Sequence, residues 1–484
     1  MSAAAEPHGG QQATFPLRAL RVVTFGGFIA LGFVPSIGQA LQQAAFAATL
    51  LSAALRVLHE RHLPVFAAFE LGVAMVVLGD GLVGSVVVPG ISASNLDAAR
   101  RFLVVATSVV IVVHELVLHR LRTTDHTRGV HHHLDLHRTS RSIEGSPKAR
   151  LVLVIFTLLL LWRYVPAAWQ AARIGRLGLT EADNAKQAEP GAGAALLNPL
   201  FQGLAMMLPA LWVSWFGPRR RWRAATLAVP ILVLLLALTT RYVFLIAAAG
   251  FLLTGHRTKR QAIKYAAVAT VSLAVASWVI SATRARGLAN TFSAATLKSS
   301  SSRLLGSEGV LRTVAQIMNY TGSHGLRQGR SYFSVLIFWI PRSLWSGKPT
   351  LLGYWFPREF GLTGFSAGFS AAASFAEDAL IDFGFGFGAL ALVLVGLGFA
   401  YYEARGMPRL ESSSWGPAFI GCSYGVAYFA ARSMTTALIN SIGMIAIGLL
   451  IGRLAKPPTG HDRDRSTSAD RRPDPLGVRP GGTA

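Results

Sequence analysis

The chain has 484 residues, of which 52% are apolar and only 14% charged, and it carries a formal net charge of +23. That balance, with several long apolar runs, leaves too little polar surface for an ordinary soluble protein and reads as a multi-pass membrane protein. The basic excess sits in short segments beside apolar runs, where anionic headgroups and retention of Lys and Arg on the cytoplasmic side account for it. No nucleic-acid-binding motif accompanies it, so nucleic acid is excluded as a partner.

Apolar segments of spanning length are predicted near 20–36, 38–56, 65–88, 102–119, 151–168, 196–217, 265–282, 383–402, 413–431 and 434–453. The first follows Arg18 and Arg21 and is read as an uncleaved span, because a second apolar run follows at once. The loop from Arg120 to Arg150 and the clusters Arg219–Arg223 and Arg257–Lys264 are rich in basic residues and mark the cytoplasmic side. Arg223 and Arg257 bracket too few residues for two full spans, so a hairpin of two short helices is predicted, 225–238 and 242–254, with Thr239, Thr240 and Arg241 at its tip. The count closes at about twelve crossings, an all-α polytopic domain over 1–456 in the plasma membrane with both termini cytoplasmic. The tail 457–484, rich in Pro, Gly, Asp and Arg, reads as a disordered cytoplasmic segment. The only cysteine, Cys422, lies in an apolar run, which excludes intramolecular disulfides and cysteine-based metal sites.

The segment 283–382 falls on the outer side and departs from the charge rule. It holds ten basic residues (Arg284, Arg286, Lys298, Arg303, Arg312, Arg327, Arg330, Arg342, Lys348, Arg358) against five acidic ones (Glu308, Glu359, Glu377, Asp378, Asp382). Arginine forks bind phosphate oxygens two at a time, so this cluster suits an anionic, lipid-linked diphosphate or, without catalysis, anionic lipid. Tyr332, Trp339, Trp345, Tyr354 and Trp355 offer faces for sugar rings or for an interfacial belt. Glu377, just before Gly384, Gly386 and Gly388, is a candidate general base or an ion-pair partner, and His324 is the one histidine of the segment. Asp378 and Asp382 read as caps of the helix that follows. Tyr332 to Ile340 is apolar but too short to span and is predicted to be re-entrant or interfacial. The tract His131, His132, His133, Asp135, His137 has metal-like composition but lies in a basic loop and reads as solvated. Neither a P-loop nor an HExxH motif is present, so no metal or other cofactor is expected.

At Thr240 and Arg241, Gly329, Ser331 and Tyr332, the segment Ile340, Pro341, Arg342 followed by Trp345, Lys348 and Pro349, the stretch Glu377 to Gly384, and Arg432, the chain resembles the bacterial oligosaccharide repeat-unit polymerases, the O-antigen polymerase (Wzy-type) family. The resemblance covers about 200 residues and implies a GT-C-like membrane glycosyltransferase acting on polyprenyl-diphosphate-linked oligosaccharides at the outer face during cell-surface or exopolysaccharide synthesis. For such a reaction the charges suggest metal-independent catalysis, with Arg241, Arg342 and Lys348 holding the donor diphosphate and Glu377 or His324 deprotonating the acceptor hydroxyl. Arg284, Arg286, Arg330 and Arg432 would position the two lipid-linked substrates, with Tyr332, Trp345 and Arg358 as further substrate contacts. Partners are then the lipid-linked oligosaccharide and membrane lipids, with a chain-length regulator and a flippase as candidates. Two other readings share parts of the pattern: an O-antigen-ligase-like transferase, and an exporter or flippase using the intramembrane acids Glu70, Asp80 and Glu115.

Overall fold

The computed structural model describes residues 14–60, 63–79, 91–127, 146–186, 192–217, 220–238, 241–254, parts of 260–271, 309–340, 344–360, 374–411 and 413–455. Among these residues every regular element is helical. The order is α1 (Thr14–Leu31), α2 (Gly38–His59), α3 (Val65–Gly72, continued by a π-helical turn Val73–Leu78), α4 (Ala93–Thr127), α5 (Pro147–Lys186), α6 (Ala192–Phe216), α7 (Arg221–Leu238) and α8 (Arg241–Leu253). There follow α9 (Val310–His324), α10 (Arg330–Leu336), α11 (Leu352–Glu359), α12 (Phe375–Ala391), α13 (Val393–Tyr401, continued through a π-helical Tyr402–Gly406 into Met407–Glu411), α14 (Gly416–Ala430) and α15 (Met434–Leu454).

Among the described residues five helices, α2, α4, α5, α6 and α15, are long and apolar enough to cross a membrane, and the bent pair α12–α13 makes a sixth. The helices α1, α3 and α14 coincide with predicted spans, and α7 and α8 with the predicted short hairpin, but all five fall short of that length or hydropathy; the described helices carry five to six spans by themselves, and the predicted span 265–282 lies mostly outside the described residues.

Charge assigns several flanks to one side, and the fold brings those flanks together. Arg56 of α2 lies fully buried between Glu70 of α3 (3.0 and 3.2 Å) and Glu115 of α4 (2.6 Å). Arg21 of α1 bonds Glu115 at 3.0 Å, and Arg122 of α4 bonds Glu60 of α2 at 2.9 Å. From the far end of the sequence, Glu403 accepts the Phe66 N–H at 2.6 Å and contacts His114 Nε2 at 3.2 Å. Ser146 donates to the Leu454 carbonyl at 2.8 Å, and Arg221 donates to the carbonyls of Leu252 and Thr254, closing the predicted short hairpin α7–α8. At the other end of α4, Asp97 accepts the N–H groups of Ser36 (3.1 Å) and Gly38 (2.7 Å), while Arg101 bridges Asp97 (2.9 Å) to the Gly32 carbonyl (3.2 Å). This pair satisfies the orphan groups at the α1–α2 turn.

Two hydrophobic cores result, one built on α1–α4, α9, α11 and α12, the other on α5–α8, with α14 and α15 contributing to both. Glycines set the closest approach: a Cβ on Gly425 of α14 would lie 2.6 Å from Ile246 Cα of α8, and one on Gly203 of α6 2.5 Å from the Gly443 backbone of α15. Backbones can approach this closely only where side chains are missing.

The described parts of the segment read as a loop up to Asp382, residues 309–340, 344–360 and 374–382, are largely helical. Phe375–Asp382 is a buried helical arm, and Phe69 stacks edge-on to Phe375 at 5.5 Å. Gly384 (φ 75°, ψ −170°) breaks α12, and a Cβ on Gly388 would meet the Ala379 carbonyl at 2.8 Å. Residues nine apart in an unbroken helix are about 13 Å apart, so the two arms of α12 fold back on each other.

Candidate functional site

The turn between α9 and α10 is built by positive φ at Gly325 (80°), Gln328 (54°) and Gly329 (82°). It docks on the break in α12: the Arg327 N–H donates to the Ile381 carbonyl (2.9 Å) and the Gln328 N–H to the Asp382 carbonyl (3.0 Å). Those carbonyls lose their own helical partners because the chain turns at Gly384. The Asp382 carboxylate then accepts Ser331 N–H (2.8 Å), Ser331 Oγ–H (3.0 Å) and Tyr332 N–H (3.4 Å). Asp382 therefore caps α10, whereas the sequence reading has it cap the helix that follows it in the chain.

Above this turn lies a cleft of about 690 Å³ whose side chains include Tyr320, His324, Arg327, Arg330, Trp345 and Lys348. Half-buried Arg327 is its best-fixed cation: Nη1 donates to Ser331 Oγ (3.3 Å), Nη2 to the Thr350 carbonyl (3.1 Å), and the guanidinium stacks 4.5 Å from the Trp355 ring. Burial draws the Arg327 pKa below the ordinary arginine value, opposed by the charges of Asp382 and Asp378. Arg330 is exposed on the cleft wall. The His324 ring stacks on Tyr320 at 4.3 Å and its Nδ1 contacts Ser323 Oγ at 2.8 Å, which leaves Nε2 as the nitrogen for a ligand. Tyr320 in turn donates to Glu359 at 3.1 Å. Lys348 Nζ donates to the carbonyls of Phe338 (2.7 Å) and Ile340 (2.8 Å).

Of the sequence candidates, His324, Arg330, Trp345 and Lys348 thus share one cleft. Tyr332 is half-buried beneath it, stacked on Phe383 at 5.9 Å. Glu377 is not on the cleft. It is fully buried at the third position of α12, where its carboxylate accepts the Ser374 N–H and its own N–H donates to Ser374 Oγ (3.3 Å). That reciprocal capping box is a structural duty. Arg432 lies in the turn between α14 and α15, half-buried, with its N–H on the Phe429 carbonyl at 2.9 Å. Arg241 opens α8 and Arg358 lies in α11, with side chains outside the described residues; Arg284, Arg286, Arg342, Asp80 and the tract His131–His137 lie outside them altogether. Sequence reasoning counted Arg327 only as one of ten basic residues, with no role of its own, and passed over Tyr320. The available signal was the pattern Gly325-Leu326-Arg327-Gln328-Gly329, where two glycines announce a turn that must present its central side chains.

No protein-family model, curated protein or solved structure matches this chain.

Proposed function

We propose that the protein is a membrane glycosyltransferase that polymerises polyprenyl-diphosphate-linked oligosaccharide repeat units, with the cleft between α9, α10 and α11 as the seat of the donor diphosphate. The observation that carries this reading is the gathering of Arg327, Arg330 and Lys348 with His324 and the rings of Tyr320, Trp345 and Trp355 around one polar cleft. Fixed cations favour a diphosphate leaving group as its charge develops, and flat rings suit sugar faces.

In the reaction so proposed, the bond between the anomeric carbon and the diphosphate oxygen breaks, the acceptor hydroxyl oxygen bonds that carbon, and the lipid diphosphate departs as an anion. Arg327 and Arg330 stabilise the departing charge. The acceptor proton passes to His324 Nε2, since Glu377 is buried and committed to its cap. Glu70 and Glu115, the acids a transport path would use, are both paired to Arg56, which favours a structural role for them. The reading is tested by incubating the purified protein in lipid with a lipid-linked repeat unit and resolving product length. A ladder on the lipid carrier that Arg330→Ala and His324→Gln suppress supports polymerisation; transfer of a preformed polymer to a different acceptor without a ladder would replace it with the ligase reading.

A further inference from the structure

Beside the cleft the same stretch of chain carries an apolar lip. Phe333, Leu336, Trp339 and Leu344 are 45%, 71%, 51% and 80% exposed, and Trp345, 39% exposed, stands on both surfaces, packing edge-on to Phe333 at 6.3 Å while lining the cleft. The lip is continuous with the flank of the helix bundle. α10 packs against α15, whose Leu438, Ile442, Ile445 and Leu449 form an exposed stripe at helical spacing along a helix of membrane-crossing length.

The backbone of the lip is the second clue. The chain leaves helical geometry after Leu336, which strands carbonyls that a lipid environment does not hydrate. Here they have partners: Trp339 Nε1 donates to the Leu336 carbonyl at 2.9 Å, and Lys348 Nζ donates to both the Phe338 and Ile340 carbonyls. In water these carbonyls could bond solvent, and the half-buried lysine would gain little by folding back on them. At the edge of a hydrocarbon phase, non-helical backbone needs internal partners, and an ammonium needs oxygens.

We infer that Phe333, Leu336, Trp339 and Leu344 seat in one leaflet of the bilayer, and that Lys348 is the positioning residue whose double carbonyl bond makes the unwound backbone compatible with lipid. The cleft then opens sideways onto that leaflet, and an amphiphile can place its anionic head against Arg327 and Arg330 while its tail stays in hydrocarbon. The last step rests on the function proposed above; the seating of the lip does not.

The test uses the full chain with the buried Cys422 replaced by Ala, single spin labels at Leu336, Leu344 and, as a control beside the cleft but off the lip, Ser323, in vesicles of phosphatidylethanolamine and phosphatidylglycerol. Power saturation compares collision with oxygen, which concentrates in lipid, and with a water-soluble nickel chelate. The expected result is an oxygen-to-nickel ratio several-fold higher at Leu336 and Leu344 than at Ser323. Equal ratios at all three positions would overturn the seating. Lys348→Met should lower the ratio at Leu336 toward that of Ser323, and Lys348→Arg, which keeps the donors, should restore it; a label at Leu336 indifferent to both changes would refute the role of Lys348. Since no turnover is read, a lip found in lipid together with absent polymerisation would sink the enzymatic reading alone.

Discussion

Replacing Arg56 by Met is the sharpest perturbation of the fold. The guanidinium is fully buried, bonds both Glu70 oxygens and one Glu115 oxygen, and lies 4.9 Å from the Phe66 ring centre. Arg18, Arg21, Arg56 and Arg122 stand against Glu60, Glu70, Glu115 and Glu403, so charges of the two signs balance, four to four, with His114 left aside. Methionine keeps most of the volume but leaves three cations against four anions in a poorly hydrated site. Breaking a buried pair by removing one partner costs about 3–5 kcal/mol. The double change Arg56→Met with Glu70→Gln restores the balance and should recover a large part of that loss, with a coupling energy of about 1–3 kcal/mol. Reversible unfolding in mixed micelles followed by tryptophan fluorescence measures all three variants. An Arg56→Met protein within about 1 kcal/mol of wild type, or a double mutant as costly as the sum of the singles, would refute the reasoning.

Four further outcomes are expected. Gly425→Ala should destabilise by about 1–3 kcal/mol, because its Cβ meets the Ile246 backbone, whereas Gly398→Ala, with nothing within 4 Å, should be neutral or stabilising; equal effects in the same unfolding assay would contradict the close α8–α14 packing. Asp382→Ala should cost about 2 kcal/mol through loss of the α10 cap and expose the 325–332 turn to limited proteolysis, with Asp382→Asn milder. Under the proposed reaction, His324→Gln should lower kcat by about 10²–10⁴-fold with little change in KM, while Glu377→Gln should mainly lower stability; the reverse pattern would return the base to Glu377. Arg327→Lys should weaken donor binding nearly as much as Arg327→Ala, because one ammonium cannot span Ser331, Thr350 and the Trp355 ring together.

Much of the scaffold was legible because long apolar runs flanked by arginines announce helices and where they end. The short α7–α8 hairpin followed from arithmetic on Arg223 and Arg257, and Arg221 ties its ends as that arithmetic requires. The buried arm Phe375–Asp382 was not legible: it is short, carries three carboxylates and looks like loop, and only its contacts with Phe69 and the α9–α10 turn make it core. His324, Arg330, Trp345 and Lys348 could be picked by chemistry, but their meeting depends on positive φ at Gly325, Gln328 and Gly329. The partners of Glu115 lie 59 and 94 residues away in sequence, so an acid that read as a transport residue is the centre of an ion-pair network. Glu377 was ambiguous for a related reason: a capping carboxylate and a general base are the same side chain until the neighbouring Ser374 is placed.

The central claim, that the cleft receives a lipid-linked diphosphate, is tested most directly by photo-crosslinking. A polyprenyl diphosphate with a diazirine next to the second phosphate is irradiated with the protein in vesicles, and the labelled peptides are sequenced. Label concentrated between Tyr320 and Trp355, and competed by unlabelled lipid-linked oligosaccharide, is the expected result. Label spread over the lipid-facing helices, or gathered at the Arg56–Glu115 end of the bundle, would contradict the account.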